Sequence, residues 1–519
     1  MSARRTRKAF VERLALIAIL AVPALPCSDG KARTVRADDL AAWPRAYAEA
    51  MIERGRDTCG AEHSPLFAAA LDRRTMRLPE PGELPEIPGV RSHDRALAGA
   101  NPWHDAELYR LLYALSQRTG APRFAAEADR ALEFFLRRCA SPRTKLFAWG
   151  EHLSWDFRRE TAVWLAEHHE VRGEWPLWDA CYRLAAEPCY DFALGQWDHQ
   201  ILDHRSGDFS RHARWSEHGP EGGADFPRYA GQLIVNWADA FSRPGNAARP
   251  RCDELGRAIA VLVGRMEQTR RESPIGQLAA FRGAAYGWPG SNLELARCLW
   301  KAADLLPAGG GAAELPARMR RLAVELDRDF QRLPHGIGRG GGFVVTFDTR
   351  TAEPIPRSSN KPFSGAWETG YGVATHAVLG CLLDDRREQL AEREPDLAAA
   401  HARLVDAAAA VYLDSDPDPA DLHAPEAFAQ AIELMLRVHR RRAGRGRPAT
   451  AACPYLARAA ALARKGIGMF LGDGLPLPRA TNRHDHYEAL TGGPALMATL
   501  FDLDEALRQA GQPFAAAGT

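Results

Sequence analysis

The chain has 519 residues, of which 46% are hydrophobic, so it is long enough to bury a large core. Its 67 basic and 66 acidic side chains give a formal net charge of +1. Because both signs are interleaved along the chain, composition argues against a nucleic-acid partner or a membrane-surface partner held by bulk charge.

The first residues have the features of a secretory signal. Four basic residues lie between positions 4 and 8, and an apolar run follows at residues 14–25. This run is too short for a transmembrane helix, so we expect no membrane span in the mature protein. We predict a signal peptide at residues 1–37, with an uncertain cleavage point, and a secreted or periplasmic protein. A lipoprotein modified at Cys27 and an uncleaved N-terminal anchor stay open as alternatives.

Helical periodicity dominates the chain after Asp38. Residues 41–52 begin it, and a Pro-rich connector follows at residues 79–88. Apolar residues at 108, 111, 112 and 115 share one helical face, and residues 123–138 repeat the pattern after a break at Gly120 to Pro122. Further helices are predicted at residues 228–241, 253–268, 291–305, 314–332, 367–383, 395–413, 423–441, 452–466 and 485–509.

This series of paired helices predicts an all-α fold, an α/α toroid built from helical hairpins. An α-solenoid is the alternative, but the chain has no fixed repeat period. The one stretch that could form a small β-hairpin is residues 340–348. No long linker divides the chain, so we predict a single domain at residues 38–519.

Polar and aromatic residues concentrate between positions 101 and 215. The densest stretch is Trp149-Gly-Glu-His-Leu-Ser-Trp-Asp-Phe157, which lacks the apolar period of a core helix and is expected to be a loop. Acids, imidazoles and tryptophans gathered in this way are typical of a carbohydrate site or a metal site. Trp149 and Trp155 are candidate stacking surfaces for sugar rings, although any single Trp is more often part of a core.

Three residues in separate segments form a candidate metal site. His152, Glu170 and His212 offer two imidazoles and one carboxylate, a set that suits a divalent transition metal better than calcium. Rival ligands lie beside them in the sequence, namely Glu151, Glu167, His168 and His169.

Arginines near this set are candidate clamps for an anionic substrate. Arg211 directly precedes His212, and a guanidinium beside a metal would favour a carboxylate. Arg228 and Arg282 are further candidates. A different chemistry, glycoside hydrolysis, would need two opposed carboxyl groups, which Glu368 and Glu488 could supply.

Four motifs together resemble one enzyme family. Asn101-Pro-Trp-His-Asp, the stretch from Trp149 to Asp156, Leu177-Trp-Asp and Phe209-Ser-Arg-His look like the pectate (pectic acid) lyases of polysaccharide lyase family two. The resemblance implies an α/α barrel that cleaves polygalacturonate by β-elimination with a transition metal, typically manganese. It also implies a metal site of two His and one Glu, with an Arg before the second His as the base.

Carried onto this chain, the resemblance implies that His152, Glu170 and His212 bind the metal and that Arg211 is the base. An arginine is a poor base at neutral pH, because its pKa exceeds about 12. The role therefore requires electropositive surroundings or a hydroxide assisted by the Arg, and the sequence does not choose between them.

The leading prediction is a secreted, metal-assisted lyase acting on a polyuronate such as pectate, with Mn²⁺ as the expected ion. One alternative is a glycoside hydrolase or a sugar epimerase on the same barrel, using Glu368, Glu488 or His486. Another alternative is a glycan-binding protein without catalytic activity.

Overall fold

A computed structural model describes residues 39–163, 168–170, 174–217, 225–307, 314–337, 341–357, 361–370, 373–443, 453–512 and 514. The predicted signal peptide, Trp164, Glu167 and Gly340 lie outside these ranges. All described residues fall within one compact unit that spans residues 34–519. The domain bounds given by the sequence remain a prediction.

Helices account for most of the described chain. They are α1 (Ala42–Arg54), α2 (Ala106–Thr119), α3 (Arg123–Arg138), α4 (Trp178–Gln200), α5 (Pro227–Ser242), α6 (Cys252–Glu272), α7 (Pro289–Leu305), α8 (Glu314–Gln331), α9 (Thr375–Leu390), α10 (Pro395–Asp414), α11 (Pro425–Ala443), α12 (Pro454–Leu471) and α13 (Gly493–Gln509). None of these helices is both long enough and apolar enough to cross a membrane.

The helices form a closed ring of two layers. In the inner layer α5 packs on α7, α7 on α9, α9 on α11, α11 on α13, and α13 on α2. The ring is completed from α2 through α3 and α4 back to α5. The helices α1, α6, α8, α10 and α12 lie outside and pack against their neighbours in sequence. This alternation of inner and outer helices is an α/α toroid, so the predicted fold class is confirmed.

Short strands lie in the connections between helices. They are β1 (Ala70–Leu71), β2 (Gly99–Ala100), β3 (Ser154–Asp156), β4 (Thr161–Val163), β5 (His168–Glu170), β6 (Ile201–Asp203), β7 (Asp208–Phe209), β8 (His212–Arg214), β9 (Tyr286–Gly287), β10 (Phe347–Asp348), β11 (Thr369–Gly370), β12 (Val373–Ala374) and β13 (Tyr487–Glu488). β2, β3 and β4 form one antiparallel sheet, and β5 pairs antiparallel with β8.

Three features differ from the sequence prediction, and the first is the residue at which two of the helices begin. The helix predicted at residues 367–383 begins only at Thr375, and the one predicted at residues 485–509 begins at Gly493. The predicted hairpin at residues 340–348 is wrong for the part described, because β10 pairs with the distant strand β9. The third feature, α4, was not predicted; its chain departs from helical geometry at Ala185, ahead of Pro188 within the helix.

Candidate active site

The strand pair β5–β8 places Glu170 directly opposite His212. In its antiparallel register His168 faces Arg214, His169 faces Ala213, and Glu170 faces His212. Side chains alternate between the two faces of a strand, so His168 and Glu170 share a face with His212. His169 points the other way, where it is 1% exposed and its Nδ1 lies 3.2 Å from Nε2 of Gln200. The pairing therefore separates His169 from the predicted metal set.

His152 joins this pair from the loop before β3. Its Nε2 lies 3.1 Å from Oε2 of Glu170, and Nε2 of His212 lies 3.7 Å from the same oxygen. One ligand atom from each of the three residues lies within 4.8 Å of the others. The three residues chosen from the sequence thus converge, although 60 positions separate the first from the last.

This donor set fits a divalent transition metal. Nitrogen and oxygen ligands bind such an ion at about 2.0–2.2 Å, so neighbouring ligand atoms lie roughly 3–3.6 Å apart around it. The separation of 3.1 Å lies within that range, and the separation of 3.7 Å lies just above it. Glu170 is fully buried, and a buried carboxylate needs compensating positive charge. Two imidazoles and one carboxylate are ligands for a transition metal rather than for calcium.

A carboxylate that the sequence analysis missed lies behind His152. Oδ1 of the buried Asp94 is 3.0 Å from Nδ1 of His152. His93, Asp94 and His152 form a second group with metal-ligand spacing. Arg91 contributes its Nε, 2.7 Å from the other oxygen of Asp94, and also bonds Glu151. In the sequence, the only signal was a His-Asp pair after the Pro-rich connector.

Charge and hydrogen bonding perturb the pKa values of this pair. Burial by itself would raise the pKa of Asp94, but hydrogen bonds from His152 and Arg91 bring it below its ordinary value. Burial by itself would lower the pKa of His152, but the carboxylates of Asp94 and Glu170 raise it overall. Without a metal, the imidazole therefore stands between two negative charges.

The second oxygen of Glu170 binds a different set of groups. Nη1 of Arg211 donates to Oε1 at 3.2 Å, and the Tyr229 hydroxyl donates to the same oxygen. Arg228 in turn donates to the Tyr229 hydroxyl. Burial by itself would lower the pKa of Arg228, but Tyr229 and the charge of Glu170 raise it. Arg211 and Arg228 are thus both linked to the carboxylate at the centre of the site.

Arg282 lies apart from this centre. It binds the carboxylates of Asp225 and Asp208, and it lines a cavity of about 310 Å³ with Arg265 and Arg350. The aromatic rings of Phe226 and Phe281, 5.5 Å apart, lie between the two regions, since Phe226 also faces the Arg211 guanidinium at 5.3 Å.

The two candidate stacking tryptophans have different positions. Trp149 is only 2% exposed and packs against Trp103, Trp175 and Phe135. Its assignment as a substrate contact is therefore corrected, because its ring faces are covered by the core. Trp155 is partly exposed on β3, where it pairs with Ala100 and Ala162.

The two carboxylates of the hydrolase alternative have different surroundings. Glu488 is buried against Arg95 and His486. Burial alone would raise the pKa of Glu488, but these two partners bring it below its ordinary value. A carboxylate held in this way remains ionised and is a poor general acid. Glu368 is about half exposed and pairs with Lys361.

A second cavity, of about 460 Å³, adjoins the metal-ligand groups. Its walls include His93, Asp94 and Glu151 on one side, and Arg158 with Pro79 on another. The Pro-rich connector thus forms part of the wall beside the candidate site, although its sequence shows no period that would place it there.

One family model matches part of the chain. The family described as periplasmic pectate lyase matches residues 90–226, roughly a quarter of the sequence. The matched segment includes His152, Glu170, Arg211 and His212. No curated protein sequence matches this chain.

Several solved structures are distantly similar to the chain. D-mannose isomerase matches at 9% identity and a TM-score of 0.46, covering 93% of this chain and 100% of that one. A sugar epimerase from a ruminal bacterium matches at 12% identity and 0.42, covering 71% and 86%. An unsaturated glucuronyl hydrolase specific for heparin matches at 10% and 0.37, covering 91% and 98%. Likenesses this distant carry no argument about activity.

Proposed function

We propose that the protein is a secreted, metal-assisted polysaccharide lyase that cleaves pectate-type polyuronates by β-elimination. The observation that carries the proposal is the convergence of His152, Glu170 and His212, with Arg211 on the same carboxylate. The partial match to the periplasmic pectate lyase family supports it, because all four residues lie within the matched segment. The same match supports export to the periplasm or beyond.

His152, Glu170 and His212 would hold one divalent ion, for which Mn²⁺ is our assignment. When bound, such an ion neutralises a uronate carboxylate and stabilises the charge that develops as C5 loses its proton. The contribution of the chain is to orient the donors. Oε1 of Glu170 is occupied by Arg211 and Tyr229, so Oε2 is the oxygen directed toward the imidazoles.

Arg211 is our candidate for the group nearest the abstracted proton. Its side chain is 28% exposed, against 10% for His152 and 14% for His212, so it is the most accessible of the three. In the reaction a base takes the C5 proton, the C4–O bond breaks, the leaving oxygen gains a proton, and an unsaturated sugar remains.

Further contacts to an anionic chain fall to Arg228, Arg282 and Trp155. Arg228 lies nearest the centre, and Arg282 lines the cavity beyond Phe226 and Phe281. A polymer that crosses the metal set would reach this cavity with a neighbouring sugar. Because Asp225 and Asp208 already pair with Arg282, we assign it a weaker contribution than Arg228.

Ultraviolet absorbance during incubation with polymer tests this function. The purified protein is mixed with polygalacturonate, alginate or glucuronan, with Mn²⁺ or with a chelator. Elimination creates a conjugated double bond that absorbs at about 235 nm, whereas hydrolysis and epimerisation create none. We expect absorbance to rise with polygalacturonate and Mn²⁺ and to stay flat with chelator. New reducing ends without absorbance would indicate a hydrolase, and binding without any product would indicate a glycan-binding protein.

A further inference from the structure

Asp94, His152 and Glu170 form a series of contacts in the candidate site. Oδ1 of Asp94 lies 3.0 Å from Nδ1 of His152, and Nε2 of the same ring lies 3.1 Å from Oε2 of Glu170. We propose that Asp94 is a positioning residue that holds His152 in the Nδ1–H tautomer, with its Nε2 lone pair aimed at the position between Glu170 and His212. This inference rests on the proposed metal set.

The tautomer follows from the chemistry of the two ring nitrogens. A neutral imidazole has one N–H, and an ionised carboxylate can only accept a hydrogen bond. Asp94 is buried, and its Oδ2 accepts from Nε of the Arg91 guanidinium at 2.7 Å, so the side chain is held as a carboxylate. When an ion occupies Nε2 between Glu170 and His212, Nδ1 of His152 is therefore the nitrogen that carries the hydrogen, and it faces Asp94. Losing Asp94 would let either nitrogen carry the hydrogen and would let the ring turn.

The surroundings fix Asp94 in turn. Nε of Arg91 donates to Oδ2 at 2.7 Å, which leaves Oδ1 for the imidazole. The next residue, Arg95, binds Glu488 on β13. Its Nη2 donates to Oε2 at 2.7 Å, and its Nε donates to Oε1 at 2.9 Å. Arg158 donates to the carbonyl of Pro79 at 3.1 Å at the start of the connector. These bonds attach the chain before Asp94 and the chain after it to the rest of the helical toroid, as a positioning role requires.

A second ion is the competing interpretation. His93, Asp94 and His152 also have metal-ligand spacing, so an ion on Nδ1 of His152 would replace its 3.0 Å contact with Asp94. The positioning role predicts one ion per chain, whereas the competing interpretation predicts two, one of which would be lost in His93→Ala.

Metal affinity is measured on the full chain with Mn²⁺ alone, without substrate. The variants are Asp94→Ala and Asp94→Asn, and Asp57→Asn is the matched control. Asp57 is also a buried carboxylate, but its partners are Ser64 and the backbone of Cys59. We expect one ion per wild-type chain and an affinity about 10- to 100-fold weaker in Asp94→Ala. Asp94→Asn should lose less, because its amide oxygen still accepts from Nδ1. Asp57→Asn should bind as the wild type does.

The tautomer is read in protein loaded with Zn²⁺, which is diamagnetic, from ¹⁵N chemical shifts of labelled histidine, with His152 assigned by comparison with His152→Gln. We expect a protonated Nδ1 in the wild type and in Asp94→Asn, and a mixed or reversed pattern in Asp94→Ala. If Asp94→Ala does not fold, affinity and shifts in Asp94→Asn decide the question. Unchanged affinity and shifts in every folded Asp94 variant would overturn the positioning role, as would two ions per wild-type chain. A wild type that binds neither Mn²⁺ nor Zn²⁺ would overturn the metal site and the positioning role together, whereas metal binding that is unaffected in the Asp94 variants would overturn the positioning role alone.

Discussion

Glu170 divides its two oxygens between two kinds of partner. Oε2 faces the imidazoles of His152 and His212, and Oε1 accepts from Arg211 and Tyr229. Charge-assisted hydrogen bonds of this kind fix a carboxylate in one orientation. A single buried residue can therefore orient a metal ligand atom and a candidate catalytic group at the same time.

Substitution of three histidines tests the ligand set. We expect His152→Ala and His212→Ala each to lose the bound metal, because each removes one of three protein ligands. His169→Asn should retain it, since His169 points to the opposite face of β5 toward Gln200. Elemental analysis of the purified variants measures this. Metal lost from His169→Asn but kept in His212→Ala would show that the strand face was assigned wrongly.

Substitution of Arg211 separates its chemical role from its electrostatic role. Arg211→Ala should retain metal and most substrate affinity, while turnover falls by at least about 100-fold, the contribution of one general base. Arg211→Lys keeps the charge but loses the planar two-donor fork, so we expect only partial recovery. Steady-state rates of absorbance increase at about 235 nm measure turnover. The metal content of each variant is measured alongside.

Two outcomes would contradict this role. Near-normal turnover in Arg211→Ala would place the base elsewhere. Loss of turnover together with loss of metal would mean that Arg211 acts by supporting Glu170, which it contacts at 3.2 Å.

At the scale of elements, the sequence predicts those helices that are long and have a regular apolar period. Residues 123–138 were predicted as a helix with the bounds observed for α3, because its apolar side chains recur on one face. The strands β5 and β8 have three residues each, too few for an alternating pattern to be recognised. The sequence therefore favoured Glu170 and His212 through family resemblance, while the structure adds a physical reason, their direct opposition across a strand pair.

Other elements were missed for different physical reasons. α4 carries buried residues on several faces and departs from helical geometry at Ala185, so no single period runs through it. Asp94 follows the Pro-rich connector, and its approach to His152 depends on contacts between segments about 60 positions apart. Long-range juxtaposition of this kind leaves no local pattern in one sequence.

A glycine in α4 supports the loops around the site. A Cβ at Gly195 would lie 2.2 Å from the carbonyl oxygen of Thr144, whose own hydroxyl donates to the carbonyl of Trp215 at 2.8 Å. We expect Gly195→Ala to destabilise the protein by about 1–3 kcal/mol through overpacking. Gly468→Ala in α12 is the matched control, because its Cβ would meet nothing within 4 Å. It should stabilise by up to about 1 kcal/mol.

Thermal unfolding of the two variants measures this difference. The melting temperature should fall for Gly195→Ala and stay level or rise for Gly468→Ala. A rise for Gly195→Ala would mean that the Thr144 turn moves away without cost, and that the close approach of α4 to this turn is not needed for stability.

At the scale of the whole molecule, stability depends on two neutral histidines, His376, which is buried, and His335, which is partly buried. Nδ1 of His335 accepts from the backbone N–H of Val344, and Nε2 of His376 donates to the carbonyl of Ala408. Both rings pack against Phe343. Burial lowers the pKa of each from its usual 6.5 to about 4. The folded state thus binds fewer protons than the unfolded state between these values.

The resulting pH dependence has a definite sign. Because the folded pKa is lowered, the stability that each ring contributes is fully present above pH 6.5 and is lost as pH falls through 4. Each ring contributes at most about 3 kcal/mol to this loss. We expect the free energy of unfolding of metal-free protein to fall across this window, and His376→Gln, which cannot titrate, to show a weaker fall. Denaturant titrations at several pH values measure it. Parallel curves for the two proteins would show that His376 does not titrate on unfolding.

Closure of the helical ring has a consequence for how the chain is made. The Tyr47 hydroxyl bonds the Tyr487 hydroxyl at 2.8 Å across 440 positions, and α13 packs on α2. Synthesis proceeds from the N-terminus, so the residues around Glu170 leave the ribosome long before α13 exists. Contacts of such large sequence separation form slowly and carry a loop-closure cost. The candidate metal ligands of a nascent chain are therefore present before α13 can cover the apolar face of α2. During that interval the uncovered face makes the chain prone to aggregation.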